Sequence, residues 1–483
     1  MRAWSRKNIW ERTPRRLKSA LAGVLKHIPT SWLLGRRFRR ELAFVRRAQW
    51  WDERQVRAFQ TDRLRRIISL AIHRSPFYRQ YYGDLGVDLE RAAAFRSIDE
   101  LESLPLMDRE TLRANAEAMC TLDPKSKHVD YISTGGSSGV PIGFFMGADR
   151  SAIEYAHLVA SWERAGYSLD TPQAVFRGQQ VSADRDGLYH ESDPILRRHY
   201  YSTFHMNDEQ MARYLSHLAT IGPCFLHVYP SSVAALTRFI RRNNAAAPSN
   251  VRGILAGSEI VYPDQRATDE RVWGARYFSW YGHSEKLVLA AECEHSTDDH
   301  VWPTYGYMEI IDENDRPVTT PGERGEIVGT GFINTVMPLI RYRTGDYATY
   351  VGDSCPQCGR RHTIIREVQG HRTQELLVAA DGSLIPWTAL NMHDDTFDRV
   401  RQFQFRQAQA GQATLLIVAG DGFGDADVRR IRSRLHRKLS GRIDFDIAFL
   451  DAITLTPRGK SVFVDQRMDL NPLLNGEAIR IGS

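Results

Sequence analysis

Segments with apolar residues at helical spacing alternate along the chain with short, nearly continuous apolar runs. Apolar residues recur three and four positions apart in Arg63–Ile72, which predicts a helix within a helical region at residues 50–120. Ser75-Pro76 and the aspartate-capped stretch Ser97–Glu100 are typical of a helix stop and a helix start. Between residues 150 and 290, runs of strand length alternate with helical patterns, which predicts α/β structure.

Three apolar runs of the α/β region end at small or polar residues. The runs and the residues that follow them are Phe225–Tyr229 with Pro230-Ser231-Ser232, Val251–Ala256 with Gly257-Ser258-Glu259, and Tyr277–Tyr281 with Gly282-His283-Ser284-Glu285. An apolar helical pattern, Val233–Ile240, separates the first two runs. Ligands of open α/β sheets bind outside the carboxyl ends of the strands, so these strand ends are candidates for a binding site.

The pattern changes twice more towards the C-terminus. Residues 301–350 are predicted to be rich in β-structure, with strands at Met308–Ile311 and Gly325–Val328. After about residue 372 the chain predicts a compact α+β unit with strands at Phe403–Phe405, Thr414–Val418 and Phe445–Leu450 and a basic helix at Asp425–Ser440. We therefore predict an α/β protein with a basic N-terminal helical segment at residues 1–50, a large domain at 51–372 and a small α+β domain at 373–483.

Composition narrows the class of protein. Of the 483 residues, 42% are hydrophobic and 25% are charged, as in ordinary globular proteins. No stretch reaches the roughly 18 apolar residues of a membrane span, and Ser19–Leu25 is too short for the apolar part of a signal peptide. Five cysteines in this length do not suggest a disulfide scaffold. We expect a cytoplasmic protein whose cysteines are free or bound to metal.

Positive charge is concentrated at the N-terminus. Residues 1–50 hold 14 Lys and Arg and only 2 acidic residues, whereas the other 433 residues carry a net charge of −6. Basic residues interspersed with Trp and Leu suit the face of an anionic membrane, so residues 1–45 are a candidate for peripheral contact with the inner face of the membrane. We favour the alternative, in which this segment packs its apolar residues on the protein. Nucleic-acid binding is not expected, because no recognition motif accompanies the charge.

A run of small polar residues, STGGSSGVP at residues 133–141, separates the helical region from the α/β region. Its glycines permit close approach of the backbone to a ligand, and successive backbone N–H groups can form a concave anion site. The run is a candidate phosphate-binding loop, but taken alone it favours a plain flexible turn, since clusters of Gly and Ser commonly mark loops.

Six short motifs stand in a characteristic order along the chain. They are the run at 133–141, Ala256-Gly-Ser-Glu259, Trp280-Tyr-Gly-His-Ser-Glu285, Ile340-Arg-Tyr-Arg-Thr-Gly-Asp346, His371-Arg372 and Pro457-Arg-Gly-Lys460. Their order and spacing resemble the adenylate-forming acyl/aryl ligase superfamily, and within it the branch of phenylacetate–CoA ligases and their CapK-like relatives of capsule biosynthesis. The resemblance runs from about residue 60 to about residue 470, and the stretch at 340–346 is its most specific part. It implies a large adenylate-forming domain followed by a small, mobile C-terminal domain.

The resemblance implies a nucleotide site built from these motifs. Residues of the loop that would hold the β- and γ-phosphates of ATP are Thr134, Gly135, Gly136, Ser137, Ser138 and Gly139. Residues that would line the adenine pocket are Gly257, Ser258, Glu259, Tyr281 and Gly282. Loops of the family often carry Lys where this chain has Val140, so pyrophosphate binding is weaker here or is supported from elsewhere.

The same resemblance implies roles for five further side chains. Ser284 would contact the α-phosphate, and Glu285 would ligate Mg²⁺, a cation that prefers oxygen ligands. Asp346 would accept hydrogen bonds from both ribose hydroxyls, with Arg372 near the same ribose at the domain boundary. Lys460 of the small domain would close over the acyl and phosphate oxygens and stabilise the developing negative charge. Gln374 replaces an acidic residue that is usual at the hinge of the family.

The pair Cys355-Pro-Gln-Cys358 is typical of a structural zinc knuckle, which needs four sulfur or nitrogen ligands. Cys293, His295 and His300 are candidates to complete the set, and Cys293 and His295 would share a face if their segment is a strand. The resemblance favours His300, which gives Cys293, His300, Cys355 and Cys358. Free thiols in a loop are the alternative. A redox pair is less favoured because it does not open a helix after a strand.

Taken together, the sequence predicts an ATP- and Mg²⁺-dependent enzyme that converts a carboxylic acid into an acyl- or aryl-adenylate. It would pass the acyl group to CoA, or to an amine or hydroxyl acceptor in polysaccharide or secondary-metabolite assembly. The acid cannot be read from the sequence; candidates to line its pocket are His205, Tyr229, Pro230, Trp280 and His283. The alternative is a nucleotide-binding assembly protein that has lost catalysis, as Val140 and Gln374 would allow.

Overall fold

The computed structural model describes residues 25, 27–134, 142–147, 150–369, 375–390, 392, 394–453 and 462–470. The α-helices in these residues are α1 Thr30–Leu33, α2 Gly35–Ala48, α3 Glu53–Arg74, α4 Pro76–Asp84, α5 Leu89–Ala94, α6 Arg109–Asn115, α7 Ser151–Glu163, α8 Asp208–Leu218, α9 Pro230–Arg242, α10 Pro263–Trp273, α11 Trp387–Leu390 and α12 Asp425–Leu439. Single 3₁₀ turns lie at Ile98–Ser103 and Asp395–Phe397.

The strands define most of the topology of the protein. They are β1 Val129–Thr134, β2 Ile142–Gly147, β3 Gln173–Phe176, β4 His190–Asp193, β5 Arg198–Tyr201, β6 Cys224–Val228, β7 Val251–Gly257, β8 Arg276–Gly282, β9 Leu289–Ala291, β10 Asp299–Val301, β11 Gly306–Ile311, β12 Arg324–Gly331, β13 Tyr342–Gly352, β14 Ile364–Gln369, β15 Leu376–Val378, β16 Leu384–Pro386, β17 Val400–Gln409, β18 Gln412–Ala419, β19 Asp444–Phe449 and β20 Val464–Gln466. Each strand expected from an apolar run overlaps an observed strand, and most bounds agree within two residues, whereas β12 and β17 extend three or four residues beyond a predicted end.

Twelve of these strands form one mixed sheet in the order β11-β12-β13-β14-β10-β9-β8-β7-β6-β3-β5-β4. Strands β3, β5, β6, β7 and β8 are parallel to their neighbours in this series, and helices α9 and α10 provide the connections from β6 to β7 and from β7 to β8. The remaining pairs are antiparallel. Because β6, β7 and β8 run in the same direction, their carboxyl ends meet at one edge, as the sequence predicted.

The helical region at residues 50–120 packs on the antiparallel half of the sheet. Helix α3 begins at a capping box in which Asp52 and Gln55 bond reciprocally, and Ser75 caps α4. The cap of the turn at Ile98–Ser103 is Ser97, whose hydroxyl accepts from the Asp99 backbone, so the predicted aspartate cap is a serine cap. Apolar residues of these helices share one buried core with the strands beneath them.

The C-terminal part is a small α+β unit, as predicted. Its four-stranded sheet has the order β19-β18-β17-β20, and α12 packs on it through Ile431, Leu435 and Leu439. A short hairpin, β15-β16, precedes this sheet and leads into α11. The predicted boundary between residues 372 and 373 lies outside the described residues and stays a prediction.

The N-terminal helices pack on the large sheet domain. Phe38, Leu42 and Val45 of α2 are buried in one cluster with apolar residues of α7, and Arg46 pairs with Glu163 at the rim. This confirms the favoured interpretation for the described residues of the segment. None of the described helices is both long and apolar enough to cross a bilayer.

Candidate active site and cysteine–histidine cluster

A cavity of about 500 Å³ lies at the carboxyl ends of β7 and β8. Seven of the residues that the sequence assigned to nucleotide or Mg²⁺ binding line it: Gly257, Ser258, Glu259, Tyr281, Gly282, Glu285 and Asp346. Strand β13 supplies Asp346 from the far half of the sheet, whereas the other six lie in the last residues of β7 and β8 or just after them. The structure therefore brings distant segments together around one space.

Tyr281 and Asp346 are joined by a hydrogen bond at the cavity wall. The Tyr281 hydroxyl donates to Asp346 Oδ2 at 2.7 Å. Burial, and then the Asp346 charge, hold the pKa of Tyr281 well above its usual value, so the hydroxyl remains a donor at neutral pH. The Asp346 backbone N–H donates to Thr344 Oγ1 at 3.1 Å, and Thr344 donates to the carbonyl of Ile327. These bonds fix the carboxylate at the cavity wall.

The turn after β7 requires its glycine. A Cβ at Gly257 would lie 2.5 Å from the indole ring of Trp280, so a side chain there would displace the cavity wall. Ser258 follows with φ +75° and accepts a hydrogen bond from Arg177 at 2.7 Å. Arg177 also lies over the Tyr229 ring, with its guanidinium carbon 4.6 Å from the centroid.

Arg177 is a site residue that sequence reasoning missed. It follows β3 directly and donates to the carbonyls of Val228 and Gly257, which joins the ends of three parallel strands. The signal that could have found it is the one used for the other strand ends, because a polar Arg177-Gly178 pair follows the apolar run Ala174–Phe176.

Glu259 has a structural role that the sequence did not predict. Its buried carboxylate accepts from the Ser231 backbone N–H at 2.8 Å and from the Ser231 hydroxyl at 3.1 Å, and so caps α9, whose N-cap residue provides no side-chain bond. It also accepts from the Thr388 hydroxyl at 2.6 Å. Burial raises the pKa of Glu259, and these donors oppose that shift. The neighbouring Trp387 lines the cavity, so the C-terminal part supplies one wall.

Glu285 lies at the cavity wall beside His283. Its Oε2 atom is 3.8 Å from His283 Nδ1, and its side chain is 19% exposed. A carboxylate that is open to the cavity is the type of ligand that Mg²⁺ takes, so Glu285 fits its predicted role. Ser284 does not belong to the cavity lining. Its predicted contact with the α-phosphate stays a prediction.

The candidates for the acid pocket are spread more widely than expected. Trp280 and His283 line the cavity, Tyr229 stacks beneath Arg177, and Pro230 begins α9. His205 instead stacks on Tyr189, with ring centroids 3.5 Å apart, and is not part of the cavity lining.

Several predicted site residues lie outside the described residues. They are Gly135, Gly136, Ser137, Ser138, Gly139, Arg372 and Lys460. Thr134 ends β1, and its pairing with Ile142 of β2 brackets the loop. The hairpin touches the C-terminal part, because β1 contacts the turn at Asp395–Phe397; burial raises the pKa of Asp398, and Tyr131 and Ser133 oppose that shift. The roles of the loop, Arg372 and Lys460 stay predictions.

A second constellation lies where β10 meets the loop between β13 and β14. One ligand atom from each of Cys293, His300, Cys355 and Cys358 lies within 4.8 Å of the others, which is the set that the sequence favoured over His295. Cys293 follows β9 rather than lying in a strand, so the condition for a shared face with His295 is not met. Three cysteine sulfurs and one imidazole nitrogen are a ligand set that suits the tetrahedral coordination of structural zinc.

The surroundings of the cluster orient its ligands. His300 Nδ1 donates to the Asp298 carbonyl at 2.9 Å, which leaves Nε2 facing Cys358 Sγ at 3.4 Å. Cys293 Sγ accepts from the backbone N–H groups of His295 and Ser296. These contacts leave His300 Nε2 and the cysteine sulfurs available to hold a metal ion; that the ion is zinc with a structural role stays a prediction.

Arg360 attaches this cluster to the N-terminal helices. Its guanidinium is 2% exposed, binds both oxygens of Glu294 at 2.6 and 2.7 Å, and donates to Gln49 Oε1 at 3.0 Å. It also lies over the Trp50 ring, 4.2 Å from the centroid. No local sequence pattern indicated this link between positions 311 residues apart.

Replacing His300 by alanine is expected to weaken zinc binding by about 100-fold or more, since loss of an outer partner alone costs about 10- to 100-fold. His295→Ala is the matched control and is expected to retain the affinity. Competition with a chromophoric chelator measures both constants, and the thiolate charge-transfer absorption of the Co²⁺ form identifies the site. Equal weakening in the two variants would contradict the assignment.

No protein-family model matches the chain. Among curated proteins, a phenylacetate–coenzyme A ligase of Thermus thermophilus is 22% identical over 84% of this chain and 94% of its own length. The phenylacetate–coenzyme A ligase of Escherichia coli K12 is 25% identical over 69% of this chain and 74% of its own. Protein CapK of Staphylococcus aureus is 20% identical over 76% of this chain and 80% of its own.

Among solved structures, 2-hydroxyisobutyryl-CoA ligase in the postadenylation state, bound to an R3-HIB-AMP adenylate, has a TM-score of 0.54 and 18% identity, covering 89% of this chain and 93% of its own. The same ligase with 2-HIB-AMP and CoA in an open conformation has a TM-score of 0.51 and 18% identity, covering 84% and 90%. The chain thus has the fold of the adenylate-forming ligases, and the expected similarity to phenylacetate–CoA ligases and CapK is confirmed.

Proposed function

We propose that the protein is an AMP-forming ligase that activates a carboxylic acid with ATP and transfers the acyl group to the thiol of CoA. The observation that carries this proposal is the convergence of Asp346, Tyr281 and Glu285 on one cavity at the carboxyl ends of the strands. The names of the similar proteins, which are CoA ligases in several organisms, support the same reaction class.

In the first half-reaction, a carboxylate oxygen of the acid attacks the α-phosphorus of ATP, and the bond from that phosphorus to the bridging oxygen breaks to release pyrophosphate. Asp346 accepts from the ribose hydroxyls while Tyr281 holds its orientation. Glu285 would hold Mg²⁺, which when bound would neutralise phosphate charge. Positioning and electrostatic stabilisation are the main contributions of the protein in such transfers.

In the second half-reaction, the sulfur of CoA attacks the acyl carbon, the thiol loses its proton, and AMP leaves with the electrons of the acyl–oxygen bond.

Lys460 is proposed to neutralise the acyl and phosphate oxygens in the first step. The loop at 135–139 is proposed to hold the leaving pyrophosphate through backbone N–H groups, which partly offset the missing cation at Val140.

Exchange of labelled pyrophosphate into ATP, measured across a panel of aryl, fatty and amino acids, tests this function. We expect one class of acid to support exchange, Lys460→Ala to abolish it, and CoA to convert the same acid into a thioester. Binding of ATP without exchange for any acid would instead favour the catalytically inactive assembly protein. Transfer to an amine or hydroxyl rather than to CoA would place the enzyme in polysaccharide or secondary-metabolite assembly.

We also propose that this cytoplasmic enzyme contacts anionic membranes through its N-terminal segment. The apolar face of α2 is buried, so the contact would use exposed residues of α1 and α2: Trp32 of α1 is 66% exposed, and Arg36 and Arg40 of α2 are exposed. Arg36→Glu/Arg40→Glu is expected to weaken partitioning onto phosphatidylserine vesicles by more than about tenfold. The reason is that each arginine near an anionic surface contributes about 1 kcal/mol to binding.

The matched control for this experiment is Arg429→Glu/Arg432→Glu, which reverses two exposed charges on α12. Neutral phosphatidylcholine vesicles give the baseline in a sedimentation assay. Equal partitioning of the two double variants would exclude the α2 surface as the site of contact.

A further inference from the structure

Three histidines lie together at the edge of the large sheet, away from the nucleotide cavity. In the antiparallel pair β4-β5, His190 is opposite Tyr201 and Ser192 is opposite His199. Opposite residues share a face and alternate residues return to it, so His190, His199 and Tyr201 lie on the same face of the sheet. The last turn of α8 adds His217 to this face.

The three imidazoles are close enough to share one ion. One ring nitrogen from each lies within 4.8 Å of the other two. His190 Nε2 is 3.0 Å from His199 Nδ1, and the His190 and His217 ring centroids are 4.2 Å apart. All three side chains are half-buried, so the cluster is reached from solvent. None of them lines the nucleotide cavity.

A buried partner orients one of these rings. The hydroxyl of Tyr201, which is fully buried, lies 2.7 Å from His217 Nδ1 and leaves Nε2 as the nitrogen available on the cluster side. A second atom bonded to the far nitrogen of a ligand histidine is the usual arrangement around metals in proteins. The carboxylate of Asp184 also acts electrostatically on His190 and His217, which offsets positive charge at the cluster.

We propose that His190, His199 and His217 form a second metal site that binds one divalent transition-metal ion of the Zn²⁺, Co²⁺, Ni²⁺ or Cu²⁺ class. Imidazole is a favoured ligand of these metals, and sites with three protein ligands leave a fourth position for water or another small ligand. The ion would replace the direct hydrogen bond between His190 and His199. This site differs chemically from the cysteine cluster because it contains no sulfur.

The absence of sulfur makes the two sites separable in one experiment. The untagged full-length protein is equilibrated by dialysis with Co²⁺ or Ni²⁺ near neutral pH, and bound metal is counted by mass spectrometry. His199→Ala and His217→Ala are each expected to lose one equivalent while the thiolate–Co²⁺ absorption of the cysteine cluster stays unchanged. Tyr201→Phe is expected to keep the equivalent with about 10- to 100-fold weaker affinity. His73→Ala, which removes an exposed histidine of α3, is the matched control.

Equal stoichiometry and affinity in the wild type, His199→Ala and His217→Ala would overturn the proposal. If a variant folds poorly, the wild-type protein still provides an independent test through crystallography. An anomalous difference map from crystals grown with saturating Ni²⁺ is expected to show a peak between the three rings, and a map without that peak would also overturn it. Pyrophosphate exchange is not a readout of this site, so failure here leaves the proposed ligase function untouched.

Discussion

Asp346→Ala is expected to lower kcat/KM for ATP in pyrophosphate exchange by about 100- to 10,000-fold. The carboxylate is proposed to accept two ribose hydroxyls, and each hydrogen bond to a charged group contributes about 1.5–3 kcal/mol, where about 1.4 kcal/mol corresponds to tenfold. The variant also leaves the Tyr281 hydroxyl without its acceptor at 2.7 Å. Steady-state exchange measures kcat/KM for ATP, and calorimetry measures the affinity for ATP.

The control for Asp346→Ala is Asp446→Asn, which changes an exposed carboxylate on β19 and is expected to leave exchange unchanged. Tyr281→Phe provides a graded comparison, since it removes one donor to Asp346 but keeps the ring and the carboxylate. A fall of about tenfold is expected for it, from one hydrogen bond to a charged group. Normal affinity for ATP in Asp346→Ala would remove this residue from the nucleotide site.

Arg341→Ala is expected to lower the free energy of unfolding by about 3–5 kcal/mol, because it leaves a buried carboxylate without its counter-ion. The Arg341 and Glu309 side chains are only 4% and 7% exposed, and two nitrogens of the guanidinium bond the two carboxylate oxygens at 2.8 and 3.2 Å. A third nitrogen donates to the carbonyls of Leu104 and Glu102, which attaches the helical region to β13.

Two comparisons separate this effect from general loss of a charge. The double variant Arg341→Met/Glu309→Leu removes both ions and is expected to recover most of the lost stability. Arg57→Ala breaks an exposed pair with Asp99 and is expected to cost less than about 1 kcal/mol. Denaturant unfolding measures all of these variants, and a change below 1 kcal/mol in Arg341→Ala would contradict the buried-pair interpretation.

Arg341 also shows that residues of one sequence motif can have different roles. The stretch at 340–346 carried the resemblance as one unit, yet Asp346 lines the cavity and Arg341 holds the core together. The strand ends were predictable because apolar runs followed by Gly and Ser are local patterns, and parallel strands bring their carboxyl ends together. The cysteine cluster was predictable because C-x₂-C spacing and zinc chemistry narrow the choice of ligands.

The parts that were not predicted depend on contacts between distant residues. The bond from Thr388 to Glu259 joins positions 129 residues apart, and nothing near either residue indicates it. The three histidines at 190, 199 and 217 have no ligand-like spacing, and only the register of β4 with β5 and the packing of α8 bring them together. Such groups follow from tertiary packing rather than from local pattern.

The wall formed by Trp387 has a consequence for the order of events in turnover. Trp387 and Thr388 both belong to α11. Any rotation of the C-terminal part that carries α11 along would therefore break the hydrogen bond from Thr388 to Glu259 and open the nucleotide cavity in the same movement. AMP release would then be coupled to the loss of the Thr388 donor to the buried Glu259 carboxylate, which keeps its bonds to Ser231 at the start of α9. The loss of this hydrogen bond raises the free energy of the open state, which favours return to the closed state before the next ATP is used.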